Sequence, residues 1–368
     1  MRRIVSVLCV CLVAACAPRG EILLVEDATL PARSIFVGTT RGPDPETGQD
    51  LTRGRLESLR FARYDVSVPP DRVPGDINYP DARRAPDPAR DFLTTGAEFY
   101  PQAPAFRADL RRALARNGGE AVVFVHGYNN TFAEGLYRFA QVGHDLKVPG
   151  VLVHYSWPSR ANVMGYAYDR DSALFARDGF EHLLREVRAA GARRIVIIAH
   201  SMGGALSMET LRQMAISGDA ETLSRLGGMV LISPDLDVDV FRAQARRIGR
   251  LPDPFIIFTS RRDRALQLAA RLTGDSARLG NLQDVTPISD LKVTMVEVGA
   301  FATGEGHFDV AKSPALIALL GSTGEVAAVL EGDQAGRTGL IPGVVLTVRE
   351  ATRIVLTPVD ELAIGLTN

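Results

Sequence analysis

Ile195-Val196-Ile197-Ile198-Ala199-His200-Ser201-Met202-Gly203-Gly204 reads as a buried strand that runs into small residues and then into a helix. Such a strand-turn-helix passage is what a nucleophile elbow requires, a strained turn that lifts a serine hydroxyl to the top of a sheet. Alanine stands where the first glycine of that pattern is usual, so the motif is Ala-x-Ser-x-Gly. The competing reading is a serine that merely caps an ordinary helix. The residues around the motif weigh against it, because the strand before and the helix after are both expected.

Outward from this stretch, short wholly apolar runs alternate with amphipathic segments from Glu120 onward. The runs are Ala121–Val125, Val151–Tyr155, Ile195–Ala199, Met229–Ile232, Phe255–Phe258 and Val293–Val298. Strands apolar on both faces belong to parallel sheets covered by helices on both sides. Helices are expected over Thr131–Leu146, where Thr131 and Glu134 form a capping box, and over Ser172–Ala190, Gly203–Ile216, Val238–Ile248 and Ser313–Leu320. The pattern predicts an α/β fold with a doubly wound, mostly parallel sheet. Ile35–Gly38 and Tyr64–Val68 read as earlier strands separated by a turn-rich segment. Residues 69–104, with eight prolines, read as a surface loop of low helical or strand content, a candidate cover for a site.

The whole chain has 368 residues, 46% of them hydrophobic and 23% charged, which excludes disordered and collagen-like classes. With 42 Lys and Arg against 43 Asp and Glu there is no basic excess to neutralise a phosphate backbone, so nucleic acid is not an expected partner. All three cysteines, Cys9, Cys11 and Cys16, lie at the N-terminus, which leaves the rest without a disulfide, a thiolate metal site or a cysteine nucleophile. Arg2 and Arg3 followed by the apolar run Ile4–Leu12 read as a secretion signal too short to span a bilayer. Val13-Ala14-Ala15-Cys16 resembles the lipobox of bacterial lipoproteins, which implies cleavage before a lipidated Cys16. The chain then divides into a signal peptide at 1–15, an anchor and tether at 16–34, a main domain at 35–320 and a β-rich extension at 321–368. Ala17 after the cysteine points to the outer membrane, facing the periplasm, in a bacterial envelope. Without residues 1–15 the net charge is −3, so attachment would rest on acyl chains.

Phe124-Val125-His126-Gly127-Tyr128-Asn129-Asn130, with Tyr155-Ser156-Trp157-Pro158-Ser159 and Asp169-Arg170-Asp171 further on, resembles an uncharacterised family of bacterial hydrolases in the α/β-hydrolase superfamily. The resemblance covers about residues 35–320. It implies a nucleophile, an acid and a histidine in that chain order, each after a strand. Ser201 then is the nucleophile. Five of the six histidines lie at or before it, and His307 alone follows, in Gly304–Phe308 after the strand Val293–Val298. Asp263, after Phe255–Phe258, is the expected acid, with Asp235 and Asp237 after the preceding strand as rivals. The superfamily's geometry implies an oxyanion hole from the backbone amides of Met202 and Tyr128. His126 is expected to brace its loop, Asn129 to orient the loop or touch substrate, and Trp157 to wall the pocket or pack. Only Asp235–Asp253 is available where lipid-specific caps usually enter, so no large cap domain is expected.

No metal spacing and no dinucleotide fingerprint appears, so no metal and no cofactor is expected. The implied activity is that of a serine hydrolase, foremost on carboxylic esters of small molecules or lipids, through an acyl-enzyme. Amidase and acyltransferase chemistry use the same triad, and a non-catalytic envelope lipoprotein using the fold as a binding module is the rival of another class.

Overall fold

The computed structural model describes residues 19–25, 29–80, 84–273, 278–301, 309–314, 343–348 and 351–356. Its strands are β1 (Ala32–Gly42), β2 (Gly54–Ser67), β3 (Leu93–Tyr100), β4 (Glu120–Val125), β5 (Val151–Ser156), β6 (Arg194–His200), β7 (Leu226–Ile232), β8 (Phe255–Thr259), β9 (Val293–Glu297), β10 (Gly343–Val348) and β11 (Ala351–Leu356). They form one sheet in the order β10-β11-β9-β8-β7-β6-β4-β5-β1-β2-β3. Pairing is parallel from β11 through to β1, and antiparallel only in β10–β11, β1–β2 and β2–β3.

The helices are α1 (Ala103–Arg116), α2 (Phe132–Asp145), α3 (Tyr166–Ala189), α4 (Met202–Ser217), α5 (Ala220–Leu223), α6 (Val238–Ile248), α7 (Arg264–Thr273) and α8 (Asp309–Lys312). Successive side chains of a strand point to opposite faces, and β4 shows the result. Ala121, Val123 and Val125 join a core with Phe106 and Leu110 of α1, Leu183 of α3, Leu211 of α4 and Phe241 of α6. Val122 and Phe124 join a second core with Leu136 and Phe139 of α2. Phe124 and Phe139 stack with centroids 5.1 Å apart, and truncating either to alanine should cost about 3–5 kcal/mol. Helices therefore cover both faces, as the wholly apolar strands require.

The capping box of α2 is formed as the spacing predicts: Thr131 Oγ1 accepts from Glu134 N–H at 3.1 Å, and Glu134 Oε2 accepts from Thr131 N–H at 2.9 Å. One expectation needs correction, and two further segments find their place in the fold. Residues 69–104 are not all loop, because the proline-free stretch Leu93–Tyr100 pairs with β2, and Pro104 falls in the first turn of α1, where a missing N–H costs nothing. The described part of that loop packs on the flank of α2, with Arg72 paired to Asp145 and Arg138 donating to the Gly75 carbonyl at 2.9 Å. The expected tether is seated on the domain over residues 19–25: Val25 N–H donates to Thr94 O at 2.8 Å and Thr94 N–H to Leu23 O at 3.2 Å. The C-terminal hairpin β10–β11 extends the central sheet by parallel pairing of β11 with β9. The expected helix beyond Pro314 lies outside the described residues.

The order β6-β4-β5 contains the reversal that positions a site. From β4 the chain crosses to β5 on one side, then to β6 on the other, and the crevice at the carboxyl ends of such strands is where open α/β sheets bind ligands. The loops 126–130 and 157–165, the turn at Ser201 and the turn at 260–263 all leave that edge.

Candidate active site

Ser201 sits between β6 and α4 with φ 52° and ψ −123°. A non-glycine residue in this region stores about 1–3 kcal/mol of strain and persists only where the surroundings enforce it. Here they do. Ser201 N–H donates to Ile232 O of β7 at 3.0 Å, and a Cβ on Gly203 would lie 2.7 Å from the Val125 carbonyl, so only glycine lets α4 start this close to β4. Ser201 holds the N-cap position of α4, yet its side chain makes no capping hydrogen bond. The hydroxyl is thus not spent on the helix, against the plain reading of a capping serine. It is 2% exposed. Met202 opens α4, and the first amides of a helix have no acceptor within it.

The loop after β4 comes against this turn at Gly127, where a Cβ would stand 2.5 Å from His200 Nδ1 and 3.0 Å from Ser201 Cβ. Tyr128 follows, so its backbone and that of Met202 belong to the two segments that meet at Ser201. Asn130 Nδ2 holds the Tyr128 carbonyl at 2.8 Å. Asn129 occupies the left-handed region with φ 58°, which asparagine tolerates better than most residues.

A buried polar frame that the sequence reading did not foresee supports this loop. A register shift between Thr39 and Arg41 interrupts the β1–β2 pairing, and such irregularities re-aim side chains. Arg41 is buried and donates through Nη2 to Asn130 O at 2.8 Å, through Nη1 to Ser159 O and Thr52 O, each at 3.1 Å, and through Nε to Ser156 Oγ at 2.8 Å. Burial pushes its guanidinium down to about 10, leaving it charged at neutral pH. His126 Nε2 lies 3.2 Å from Arg41 Nη2 and accepts from Trp157 N–H at 3.2 Å, while Nδ1 lies 2.8 Å from Gly127 O. Nε2 also lies 3.1 Å from Trp157 O, but Arg41 can only donate there, which puts the ring proton on Nδ1, facing Gly127 O. Burial, then the Arg41 charge, hold His126 well below 6.5, so it is neutral and braces the loop. Asp169 is the matching anion. It accepts from Arg160 N–H at 2.6 Å, Ser159 Oγ at 2.6 Å and Asn129 N–H at 3.1 Å, with burial raising its pKa.

Trp157 is no pocket wall. It is fully buried, stacked on His126 with centroids 4.8 Å apart, and its Nε1–H donates to His126 O at 2.7 Å. An aromatic at a strand end serves either role in sequence, and packing against the loop histidine decides it. The Asn129 side chain is held by Arg19, whose Nη1 donates to its Oδ1 at 2.8 Å.

The carboxylates separate by what they hold. Asp235 Oδ2 accepts from Tyr166 O–H at 2.8 Å, and its Oδ1 lies 3.4 Å from Arg278 Nε in an ion pair. Asp237 caps α6 through Val240 N–H at 2.9 Å. Asp263 is fully buried in the turn after β8, with Oδ1 accepting from Leu266 N–H of α7 at 2.9 Å. Two strand spacings separate β6 from β8, so Asp263 and Ser201 leave one sheet edge about 10 Å apart. Glu297, which no motif flagged, ends β9 and accepts from Gly299 N–H at 3.0 Å and Arg261 N–H at 3.3 Å, fixing the turn that carries Asp263. His307 and Cys16 lie outside the described residues. Among those described, no group of three or more His, Cys, Asp or Glu forms a metal site, and no helix is long and apolar enough to cross a membrane.

A family profile described as "Alpha/beta hydrolase of unknown function (DUF900)" matches residues 102–322, more than half of the chain. The chain belongs to this alpha/beta hydrolase family. The matched span holds β4 through β9, the Ser201 turn and the Asp263 turn of this hydrolase. A search of curated proteins finds no match. Among solved structures, Aspergillus fumigatus lipase B is similar with a TM-score of 0.38 and 15% identity over 65% of this chain and 60% of that one. The chain thus spans about 60% of that lipase's length. An esterase from the archaeon Pyrobaculum calidifontis gives 0.35 and 13% over 76% and 83%. Thermogutta terrifontis esterase 2, phosphoramylated by tabun, gives 0.34 and 13% over 75% and 92%.

Proposed function

We propose that this hydrolase cleaves carboxylic esters through an acyl-enzyme on Ser201. The observation that carries the reading is the Ser201 backbone, strained at φ 52° between β6 and α4, with a hydroxyl that does not cap the helix. In this scheme His307 takes the hydroxyl proton as Ser201 Oγ bonds to the ester carbonyl carbon, and Asp263 holds the imidazole in the needed tautomer. The carbonyl oxygen becomes an oxyanion facing the amides of Tyr128 and Met202. Collapse breaks the bond to the alcohol, which leaves with the proton from His307. Water then attacks the acyl-enzyme, giving its proton to His307, and the acid departs as Ser201 recovers its proton. Asp263 is preferred because it is fully buried in the turn after β8, where the acid is expected, whereas Asp235 is held by Arg278 and Tyr166.

We also propose that Cys16 is lipidated and holds the domain at the periplasmic side of the outer membrane, on the strength of Val13-Ala14-Ala15-Cys16. Hydrolysis of p-nitrophenyl esters of graded chain length tests the activity. Ser201→Ala should lower turnover by about 10⁴–10⁶ with an unchanged circular dichroism spectrum. Turnover like that of the wild type would refute the assignment.

A further inference from the structure

The chain's path at residues 19 and 20 bears on what reaches the site. Arg19 bridges the two loops beside Ser201: Nη2 donates to Asn129 O at 2.6 Å, Nη1 to Ala161 O at 2.6 Å, and Nε to Glu134 Oε1 at 2.8 Å. Gly20 is buried against the Tyr79 ring, where no Cβ would fit. Cys16 is three residues before Arg19. A fully extended chain spans at most about 3.6 Å per residue, so three residues of chain bound the reach of an anchor at Cys16 to about 11 Å from Arg19.

The loop that receives Arg19 also carries the most exposed apolar pair beside the site. Val163 is 70% and Met164 is 89% exposed. Their backbone is held in place, with Tyr128 O–H donating to Val163 O, Met164 N–H to Asn162 Oδ1 at 2.7 Å and Gly165 N–H to Asn162 O at 2.8 Å. Two apolar side chains are thus presented to the outside by a structured loop that touches both the Tyr128 segment and Arg19. Water is a costly surrounding for them and a lipid interface a favourable one.

We propose that Val163 and Met164 enter the same membrane that the Cys16 acyl chains occupy, so that the Ser201 crevice opens onto the lipid surface and its substrates are acyl esters presented from the bilayer. This rests on the proposed lipidation and ester hydrolysis. Arg19 sets the geometry by tying the anchor to the rim, which leaves the domain little freedom to swing away.

The test uses the full lipidated chain in vesicles of phosphatidylethanolamine and phosphatidylglycerol. No thiol follows Cys16, so Met164→Cys and, as a control, Ile216→Cys each accept a single environment-sensitive fluorophore. Ile216 lies near the far end of α4, about 20 Å along the helix from Ser201. The expected result is a chain that floats with the vesicles, a blue-shifted label at 164 that spin-labelled lipid quenches, and an unchanged label at 216. Val163→Ser with Met164→Ser should slow a fluorogenic phospholipid in those vesicles about tenfold and leave p-nitrophenyl acetate unaffected. A floating chain whose label at 164 stays in water overturns the proposal. So does a blue shift that precedes vesicle addition and grows with protein concentration, which would assign the loop to a second copy of the chain. Failure to float overturns the lipidation reading and this proposal with it. A buried label without turnover on any ester refutes the hydrolase reading while upholding the membrane contact.

Discussion

His154 makes this protein sensitive to acid by an amount the structure lets one calculate. It is fully buried in β5, with ring centroids 5.6 Å from Phe124, 5.7 Å from His126 and 6.3 Å from Phe139. Nδ1 lies 3.2 Å from the Phe124 carbonyl, which can only accept, so the proton of the neutral ring sits on Nδ1. Burial pushes it down to about 3, with the Arg41 charge adding to the effect. The unfolded chain, with an ordinary pKa near 6.5, binds a proton that the folded chain refuses. Stability from this residue is therefore complete above about pH 6.5 and is lost as pH falls towards 3, at about 1.4 kcal/mol per unit. Between pH 7 and pH 5 the loss is about 2 kcal/mol. Urea unfolding of wild type and His154→Gln at both pH values measures it, because His126 and every other titrating group contribute to both proteins. The wild type should lose about 2 kcal/mol more than the variant over that interval, and equal losses would refute the reasoning.

Three further outcomes follow from the site. Gly127→Ala places a methyl 2.5 Å from His200 Nδ1 and 3.0 Å from Ser201 Cβ, so kcat on p-nitrophenyl acetate should fall at least about tenfold with about 1–3 kcal/mol of lost stability; wild-type kcat would contradict the packing. Asp263→Asn should lower turnover by about 10⁴, whereas Asp235→Asn, which breaks the contact with Arg278, should lower the melting temperature and leave much of the activity; the reverse ranking would place the acid after β7. Arg41→Lys keeps the charge but not the fork that serves Asn130, Ser159, Thr52 and Ser156, and should cost about 1–3 kcal/mol in thermal unfolding. An unchanged melting temperature would show that the frame beneath the loop is not shared in this way.

The parallel core was legible because its signals are local. A run such as Ala121–Val125 of β4, apolar on both faces, has no place outside a covered sheet, and Thr131 with Glu134 announces a helix start whatever the tertiary setting. The Ser201 turn was legible for the same reason, as strand, small residues and helix follow in ten positions. Arg41 was not, since its partners lie up to 118 residues away and a strand arginine carries no sign of burial. Density of proline hid β3, although the prolines bracket that strand and do not enter it. Trp157 and the three candidate aspartates show a different limit. Residue type and strand-end position are the same for a pocket wall and a packed ring, and only the partners separate those; Asp237 and Asp263 each accept from a helix amide, so that contact does not tell a cap from a triad acid.

The central claim is that Ser201 Oγ is the nucleophile. Incubation of the full chain with a fluorophosphonate, followed by intact mass and peptide mapping, tests it most directly. The account predicts one adduct per chain on the peptide containing Ser201, no adduct in Ser201→Ala, and loss of ester hydrolysis in step with labelling. A chain that stays unlabelled while hydrolysing esters, or an adduct on another serine that persists in Ser201→Ala, would contradict it.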